Sequence, residues 1–253
     1  MNPRSGRGAP AADELVAAAR SLGVDTHVLR PGDDAAHVAR ASPADVLGVA
    51  GGDGSLAAIA AVAIERGAAF VCVPFGTRNH FARDLGLDRD DPARALPAFH
   101  GVERRVDVGR VEGRLFLNNV SLGMYARLVH RREHHRRRRE ALAHLRAWAI
   151  LLTHREPLGI TVDGRPLDTP VLVVANNAYA LDLPSLGARD RLDEGKLHLY
   201  VPGGERIGDR FVIDAAVGGL EAAVDGEPDV LRTPIEFTIE PCALRVLVPR
   251  EGR

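Results

Sequence analysis

The sequence has few cysteines, no excess of charge of either sign and no long apolar run. Its 253 residues include two cysteines, Cys72 and Cys242, which excludes a disulfide framework and is typical of a reducing cytosol. Lys and Arg number 33 against 34 Asp and Glu, so no overall positive field would attract nucleic acid. The longest apolar stretch, Leu56 to Ile64, has nine residues, whereas a bilayer-spanning helix needs about 20.

The first ten residues contain no apolar core, so we do not expect a secretory signal there. The location we expect is the cytoplasm, with peripheral attachment to the inner face of the membrane as the alternative.

Length and patterning predict two domains, because a typical domain has about 100 to 200 residues. In residues 1–104, helix-like segments alternate with short apolar strands, which predicts a doubly wound, three-layer α/β domain with a parallel sheet. Its predicted helices are 11–22, 35–41 and 56–66, and its predicted strands are 26–29, 46–50 and 70–73. Residues 105–253 contain short strands separated by Gly and Pro, which predicts an antiparallel β-sandwich interrupted by a helix at 125–153. The last strand could return to the first domain.

The segment Gly51-Gly52-Asp53-Gly54-Ser55 joins a predicted strand to a predicted helix. Backbone N–H groups and a helix N-terminus at one point favour a bound phosphate. The segment is neither a Walker A loop nor a GxGxxG fingerprint, and an ordinary glycine-rich turn is the alternative.

A second polar turn, Gly76-Thr77-Arg78-Asn79, follows the next predicted strand. Parallel strands end on the same edge of a sheet, where ligands bind. We therefore expect Asp53 and Ser55 to face Thr77 and Asn79 across this edge.

Six short motifs follow one another along nearly the whole chain. They are Asn2 to Gly6 (NPRSG), Gly51 to Ser55 (GGDGS), Gly76 to Arg83 (GTRNHFAR), Asn119 to Gly123 (NVSLG), Leu192 to Leu197 (LDEGKL) and Asp225 to Glu227 (DGE). In this order they resemble the diacylglycerol kinase catalytic domain family, which includes bacterial diacylglycerol and related lipid kinases and the sphingosine kinases. The resemblance implies an ATP-binding α/β domain, a β-rich substrate domain and transfer of the γ-phosphate to a lipid hydroxyl.

The resemblance also implies roles for particular residues. The positions matching the family's ATP site are Asn2, Ser5, Gly6, Gly51, Gly52, Asp53, Gly54, Ser55, Leu56, Ala57, Thr77 and Asn79. Asp53 and Asp107 match acidic positions near Mg²⁺ in the active site, and Asp53 is also a catalytic candidate. A structural Mg²⁺ site would use Glu194 with the backbone carbonyls of Arg191 and Lys196. Glu227 matches the general base that takes the proton from the lipid hydroxyl.

Glu227 also has a structural interpretation, because Val-Asp-Gly-Glu favours a two-residue hairpin turn. The chain contains a second such turn, Val162-Asp163-Gly164-Arg165, in which arginine stands where the first has Glu227. Since the turn requires only the Asp-Gly pair, the glutamate is available for another role.

The chain departs from the family pattern at several positions. His80 stands where the family has an aspartate, Ser55 replaces a threonine, and Glu194 replaces an aspartate. Met1 directly precedes the NPRSG motif. Either the strand that precedes NPxSG in the family is missing here, or the true start of the chain lies upstream of Met1. A neutral His80 side chain could still hydrogen-bond Asp53 or a phosphate. The alternatives to a lipid kinase are an enzyme like NAD kinase, which shares GGDGT, and a weak or inactive ATP-binding regulatory protein, which His80 favours.

An arginine-rich segment, Arg131 to Arg139, interrupts the otherwise balanced charge. It is either a solvated helix face or a surface attracted to anionic lipid, where each basic residue contributes about 1 kcal/mol. The partners we expect are therefore ATP and a lipid at an anionic membrane surface, with no nucleic acid. A homodimer is compatible with the sequence.

Overall fold

The computed structural model describes residues 1–3, 11–76, 79–123, 157–180 and 187–250. The chain forms two compact units. The first consists of Met1–Val108, Tyr179–Glu194 and Glu240–Arg253, and the second of Gly109–Ala178 and Gly195–Ile239. The predicted division at residue 104 stays a prediction about folding domains. The last part of the chain lies in the first unit.

The first unit contains parallel strands covered by helices. Strands β1 (Val46–Gly51) and β2 (Ala69–Pro74) pair in parallel along their full length. The end of strand β14 (Ile235–Val248) lies parallel to β2, with Val246 opposite Phe70. The helices are α1 (Ala12–Ser21), α2 (Ala35–Ala41), α3 (Asp53–Arg66), α4 (His80–Asp84) and the 3₁₀ helix η1 (Pro92–His100), and strand β3 (Val102–Val111) begins in this unit.

Burial of β2 places this strand at the centre of the first unit. All six of its residues are buried, as expected for a strand covered on both faces. Val71 and Val73 pack with Leu15 of α1 and Leu96 of η1 in one hydrophobic cluster. Residues at alternate positions belong to the other face, where Phe70 contacts the Phe81 ring of α4.

Helix α3 begins at Asp53, three residues before the predicted start at Leu56. Gly52 has extended backbone angles and caps the helix, and its carbonyl accepts hydrogen bonds from the N–H groups of Ser55 and Leu56. Gly51 therefore ends β1, Gly52 caps the helix and Gly54 lies in its first turn, so these glycines do not form a separate loop. The predicted start was wrong because it excluded glycine from the helix.

The strand predicted near Thr26 to Leu29 is absent from the described structure. The Leu29 N–H donates to the Met1 carbonyl, and the Met1 ammonium donates to the His27 carbonyl at 2.7 Å. The Asn2 N–H donates to the Ala50 carbonyl of β1 at 3.0 Å. Within the described residues this segment pairs with Met1 alone, which is too short a partner to define a strand.

The second unit is an antiparallel β-sandwich. One sheet has the strand order β10-β9-β8-β5-β12-β13, and strands β11, β6 and β7 pair beside the start of β14. Phe116, Leu122, Leu199 and Phe237 are among the fully buried residues of its hydrophobic core. The strands not yet given are β4 (Arg114–Phe116), β5 (Asn119–Gly123), β6 (Ile160–Val162), β7 (Arg165–Leu167), β8 (Val171–Asn176), β9 (Leu197–Val201), β10 (Gly204–Gly208), β11 (Arg210–Ala215), β12 (Leu220–Val224) and β13 (Glu227–Leu231).

The fold class predicted from the sequence is confirmed: helices and parallel strands come first and an antiparallel sandwich follows. The predicted helix at 125–153, with the arginine-rich segment, lies outside the described residues. Among the residues that are described, no helix is long and apolar enough to cross a bilayer.

Candidate active site

Two loops of the first unit meet at the N-terminus of α3. Gly76 follows β2 and lies against Gly52, so a Cβ atom on Gly76 would collide with the Gly52 backbone. The Phe75 N–H donates to the Gly51 carbonyl at 3.2 Å, which ties the two strand ends together. The expected approach of the GGDGS and GTRN segments is present, and Gly76 is the residue that makes it sterically possible.

Asn79 holds the second loop in its turn. Its side-chain amide donates to the Gly76 carbonyl and accepts from the Gly76 N–H, each at 3.0 Å. Its φ of 49° lies in the left-handed region, which asparagine tolerates better than most residues. Asn79 therefore shapes this loop through its own side chain, and its predicted nucleotide contact stays a prediction. Thr77 lies outside the described residues.

Asp53 occupies the first turn of α3, facing the second loop. Its carboxylate is 8% exposed and accepts long hydrogen bonds from the backbone N–H groups of His80 at 3.3 Å and Phe81 at 3.5 Å. Position 80 thus contacts Asp53 through its main chain, which every residue type except proline can supply. Replacement of the family aspartate by histidine therefore leaves this contact in place.

The same carboxylate affects the thiol beneath it. Burial and the negative charge of Asp53 raise the pKa of Cys72 far above its usual value. Cys72 is a buried, protonated core residue and has no part in the chemistry of the site.

We call the place where Gly52, Asp53 and Gly76 meet the α3 corner. The N-terminus of α3 gives this corner a positive electrostatic character. The first N–H groups of a helix have no partner within the helix, and the aligned peptide dipoles add a partial positive charge there. Gly52 and Gly54 leave the backbone accessible because they carry no side chain. The corner thus combines anion-binding N–H groups with one carboxylate that could hold a cation.

Besides Asp53, the predicted metal ligands of the first unit are Asp107, Glu194 and Arg191. Asp107 is buried, and its carboxylate accepts the Cys242 N–H at 2.7 Å. The Arg191 guanidinium contacts Asp193 at 3.1 Å on the surface. Within the described residues, no group of three or more His, Cys, Asp or Glu side chains could hold a metal ion. The metal roles of Asp107, Glu194 and Arg191 stay predictions.

Four other predicted positions are described only in part or not at all. The Lys196 carbonyl, a predicted metal ligand in the second unit, accepts the Asn177 N–H at 3.0 Å. Asn2 contacts β1 through its N–H group. Ser5 and Gly6 lie outside the described residues.

A buried ion pair in the first unit could not be found from the motifs. The Asp84 carboxylate, at the end of α4, receives Arg189 Nε at 2.7 Å and Arg83 Nη2 at 2.8 Å. The side chains of Arg189 and Asp84 are almost completely buried. They fix the segment around Arg189 to the helix that follows the second loop. Arg83 belongs to the GTRNHFAR motif. No local sequence pattern indicates that Asp84 and Arg189 form an ion pair.

The Asp-Gly-Glu segment of the second unit is a two-residue hairpin turn between β12 and β13. Asp225 and Gly226 have φ values of 48° and 84°, and Asp163 and Gly164 of the comparison turn have 52° and 76°. Both turns thus have positive φ at both central positions, as a type I′ turn requires. The structural interpretation of the Asp-Gly pair is correct at both sites.

The carboxylate of Asp225 anchors its turn to a neighbouring segment. It accepts hydrogen bonds from the N–H groups of Leu117, Asn118 and Asn119 at 2.8, 2.7 and 3.2 Å. Glu227, which begins β13, is exposed. The aspartate has a structural function, whereas the exposed glutamate is not needed for the turn.

Comparison with known proteins supports the motif-based interpretation. Residues 1–111 match the model of the diacylglycerol kinase catalytic domain. This segment is therefore similar to the diacylglycerol kinase catalytic domain family. The matched segment contains both loops of the candidate site, so the proposed relation of GGDGS and GTRNHFAR to this family is confirmed.

Individual relatives show how far the diacylglycerol kinase similarity extends. A diacylglycerol kinase of Bacillus subtilis is 32% identical over 111 residues, covering 42% of this chain and 37% of the relative. A protein of Pseudomonas aeruginosa strain PAO1, described as a probable YegS-like lipid kinase, is 41% identical over 81 residues, covering 31% and 26%. The aligned segments thus span about a third of these relatives or less.

The similarity in fold to a diacylglycerol kinase extends beyond residues 1–111. A crystal structure of a diacylglycerol kinase from Bacillus anthracis str. Sterne superposes with a TM-score of 0.68 at 17% identity, covering 98% of this chain and 94% of the other. At this identity the match concerns the fold, and it includes the antiparallel sheets of the second unit.

Proposed function

We propose that the protein is an ATP-dependent lipid kinase that transfers the γ-phosphate of ATP to a lipid hydroxyl. The observation that carries the proposal is the packing of two family loops at the N-terminus of α3, with Gly76 against Gly52 and Asp53 facing the second loop. The names of the Bacillus subtilis and Pseudomonas aeruginosa relatives support the lipid kinase class.

In this proposal the N-terminus of α3 binds the phosphates of ATP. The backbone N–H groups of Gly52 and Gly54 and the hydroxyl of Ser55 are suitable hydrogen-bond donors at this corner. Phosphoryl transfer depends on positioning and on neutralising the charge of the phosphates. A helix N-terminus with small residues provides both, because it holds the phosphates at short range and offsets part of their charge.

Asp53 fits the preference of Mg²⁺ for one or two carboxylates together with phosphate and water oxygens. Its two hydrogen bonds to the backbone are long, so its oxygens keep further acceptor capacity. Bound Mg²⁺ would supply charge neutralisation on the phosphates. The contribution of the chain is to hold the Asp53 carboxylate rigidly at the start of α3.

Glu227 of the second unit is the proposed general base. Asp225 and Gly226 are sufficient to form its hairpin, as the matching turn with Arg165 shows. Glu227 is exposed at the start of β13, where a hydroxyl can reach it. Its carboxylate would accept the proton of the lipid hydroxyl as that oxygen attacks the γ-phosphorus and ADP leaves.

The test is phosphorylation of a total lipid extract with labelled ATP. We expect labelled lipid with the wild-type protein and a loss of at least a hundredfold in D53A, with a comparable loss in E227Q. D45N is the control for Asp53, because Asp45 precedes the opposite end of β1. R165Q is the control for E227Q, because it changes the equivalent position of the other hairpin. Labelled lipid that persists in both D53A and E227Q would contradict the assigned roles.

Two further arms of the same experiment address the alternatives. Formation of NADP from NAD would favour an NAD kinase. ATP binding without any product would favour a regulatory protein.

Because position 80 contacts Asp53 through its backbone, H80D should change activity without changing the melting temperature by more than about 2 °C.

Attachment to the membrane surface is part of the proposal and rests on the arginine-rich segment. Sedimentation with anionic vesicles tests it, with Arg136 to Arg139 replaced by serine. Unchanged sedimentation of this variant would contradict a role for these arginines.

A further inference from the structure

A salt bridge in the first unit is buried on both sides. The side chains of Arg189 and Asp84 are 0% and 1% exposed, and Arg189 Nε donates to Asp84 Oδ2 at 2.7 Å. Removing two charges from water is costly, and an apolar pair in their place often leaves a protein equally stable or more stable. Stability alone therefore does not account for this pair, which also fixes the positions of the two segments that it joins.

One of these segments is helix α4, which begins at the candidate site. The helix has five residues, His80 to Asp84, which is too few to be stable in isolation. Its first two N–H groups, those of His80 and Phe81, donate to the Asp53 carboxylate at 3.3 and 3.5 Å. These hydrogen bonds are already long, so a displacement of α4 by about 1 Å away from the carboxylate would break both.

The other segment, 187–189, is held by its own hydrogen bonds. The Gly187 N–H donates to the Ala180 carbonyl, and the Ala180 N–H donates to the Ala188 carbonyl, each at 2.8 Å. These two backbone hydrogen bonds fix the chain immediately before Arg189. The segment is therefore a firm support against which the salt bridge can hold α4.

The Asp84 carboxylate is bound on both of its oxygens. Arg189 Nε donates to Oδ2, and Arg83 Nε donates to Oδ1 at 2.8 Å. Arg83 Nη2 also donates to the Gly187 carbonyl, so both arginines connect Asp84 to the same segment. A carboxylate bound from two sides cannot rotate or move without losing one of these charge-assisted hydrogen bonds. The end of α4 is thereby fixed about 6 Å along the helix from the N–H group of His80.

The aromatic contact of α4 has a different effect. Phe81 is fully buried, and the centroid of its ring lies 6.5 Å from that of Phe70 in β2. This contact keeps the helix on the sheet, but burial of apolar surface is non-directional and tolerates small displacements. The directional hydrogen bonds of Asp84 therefore set where α4 lies on that surface.

We propose that Arg189 and Asp84 are positioning residues of the α3 corner. Their salt bridge holds α4 where the His80 and Phe81 N–H groups reach the Asp53 carboxylate, and this fixes the orientation of that carboxylate. The inference rests on the proposed lipid kinase function, and it deepens it by assigning the residues that orient Asp53. Orientation matters for the transfer step, because a misplacement of about 1 Å can lower a rate by about a hundredfold.

The test is the double variant D84V/R189M, in which an apolar pair replaces the salt bridge. The matched control is R40M/E65V, which removes an exposed salt bridge of the first unit, with Arg40 Nε 3.1 Å from Glu65 Oε2. Melting temperatures show whether each variant is folded. Deuterium exchange of the His80 and Phe81 amides, followed by NMR, reports their hydrogen bonds without any need for turnover. The kcat and the KM for dioctanoylglycerol are measured with ATP.

We expect D84V/R189M to melt within about 5 °C of the wild type, because an apolar pair can replace a buried salt bridge without loss of stability. Its two amides should exchange at least about tenfold faster, as expected when hydrogen bonds to a charged group are lost. Its kcat should fall at least about tenfold with an unchanged KM for dioctanoylglycerol, whereas a purely structural salt bridge predicts no fall in a folded variant. All values for R40M/E65V should equal those of the wild type.

Wild-type amide exchange or wild-type kcat in folded D84V/R189M would overturn the inference. If this variant does not fold, R189K takes its place, because lysine keeps the charge and lacks the planar guanidinium fork. Faster exchange with a lower kcat in R189K would support the inference, and wild-type values of either quantity would overturn it. Amide exchange that depends on Arg189 in a protein that phosphorylates no lipid would refute the kinase function alone.

Discussion

The Asp225 carboxylate is expected to contribute much more to stability than its equivalent in the other hairpin. Asp225 is 8% exposed and accepts three backbone hydrogen bonds, while exposed Asp163 accepts one from Val212 at 2.9 Å. A hydrogen bond to a charged group contributes roughly 1.5–3 kcal/mol. Desolvation of the carboxylate offsets part of the stabilisation from the three hydrogen bonds. We therefore expect D225G to lower the free energy of unfolding by about 3–5 kcal/mol. For D163G we expect about 1 kcal/mol.

Glycine is the suitable replacement because it keeps both type I′ turns intact, and its added chain entropy is the same at both positions. The assay is urea unfolding followed by circular dichroism, with equal slopes required for a direct comparison. A loss of about 3–5 kcal/mol is a large fraction of a typical stability of about 5–15 kcal/mol. Free energies of unfolding for D225G and D163G within 1 kcal/mol of each other would refute the reasoning.

Two other predictions concern the first unit. G76A should lower the melting temperature and weaken ATP binding at least tenfold, because its Cβ would lie 2.7 Å from Asn79 Oδ1 and against Gly52. G52A, whose Cβ would lie at an ordinary 3.6 Å from the Gly76 backbone, should not lower the melting temperature, and an equal loss would contradict this packing. The Arg245 guanidinium lowers the pKa of Glu103, so E103Q should destabilise slightly at neutral pH. This difference should shrink as the pH falls through the lowered pKa of Glu103, and in high salt. A difference as large at about pH 2 as at neutral pH would contradict this pairing.

Features specified by neighbouring residues were predicted correctly. The two Asp-Gly hairpins follow from residue type alone, because few residues other than Asp, Asn and Gly tolerate the positive φ of a type I′ turn. The meeting of the GGDGS and GTRN loops follows from two parallel strands ending at one edge. The start of α3 was missed because glycine is a poor helix former in general but an acceptable residue in a first turn.

Features that depend on distant residues could not be predicted. Asp84 and Arg189 are separated by 105 positions, and no local pattern links them. The residue type at position 80 suggested a side-chain hydrogen bond to Asp53 or a phosphate as one option, whereas the structure shows a hydrogen bond from the backbone N–H of His80 to Asp53. A main-chain contact of this kind leaves no trace in residue type.

The central claim is that the corner formed by Gly52, Asp53 and Gly76 positions ATP for transfer of its terminal phosphate to a lipid. Its most direct test supplies ATP labelled either at the γ-phosphate or at the α-phosphate and measures label in the organic-solvent extract. Labelled lipid is expected from the γ-label only, and D53A should not form it. No labelled lipid from γ-labelled ATP, or equal labelling by D53A, would contradict it.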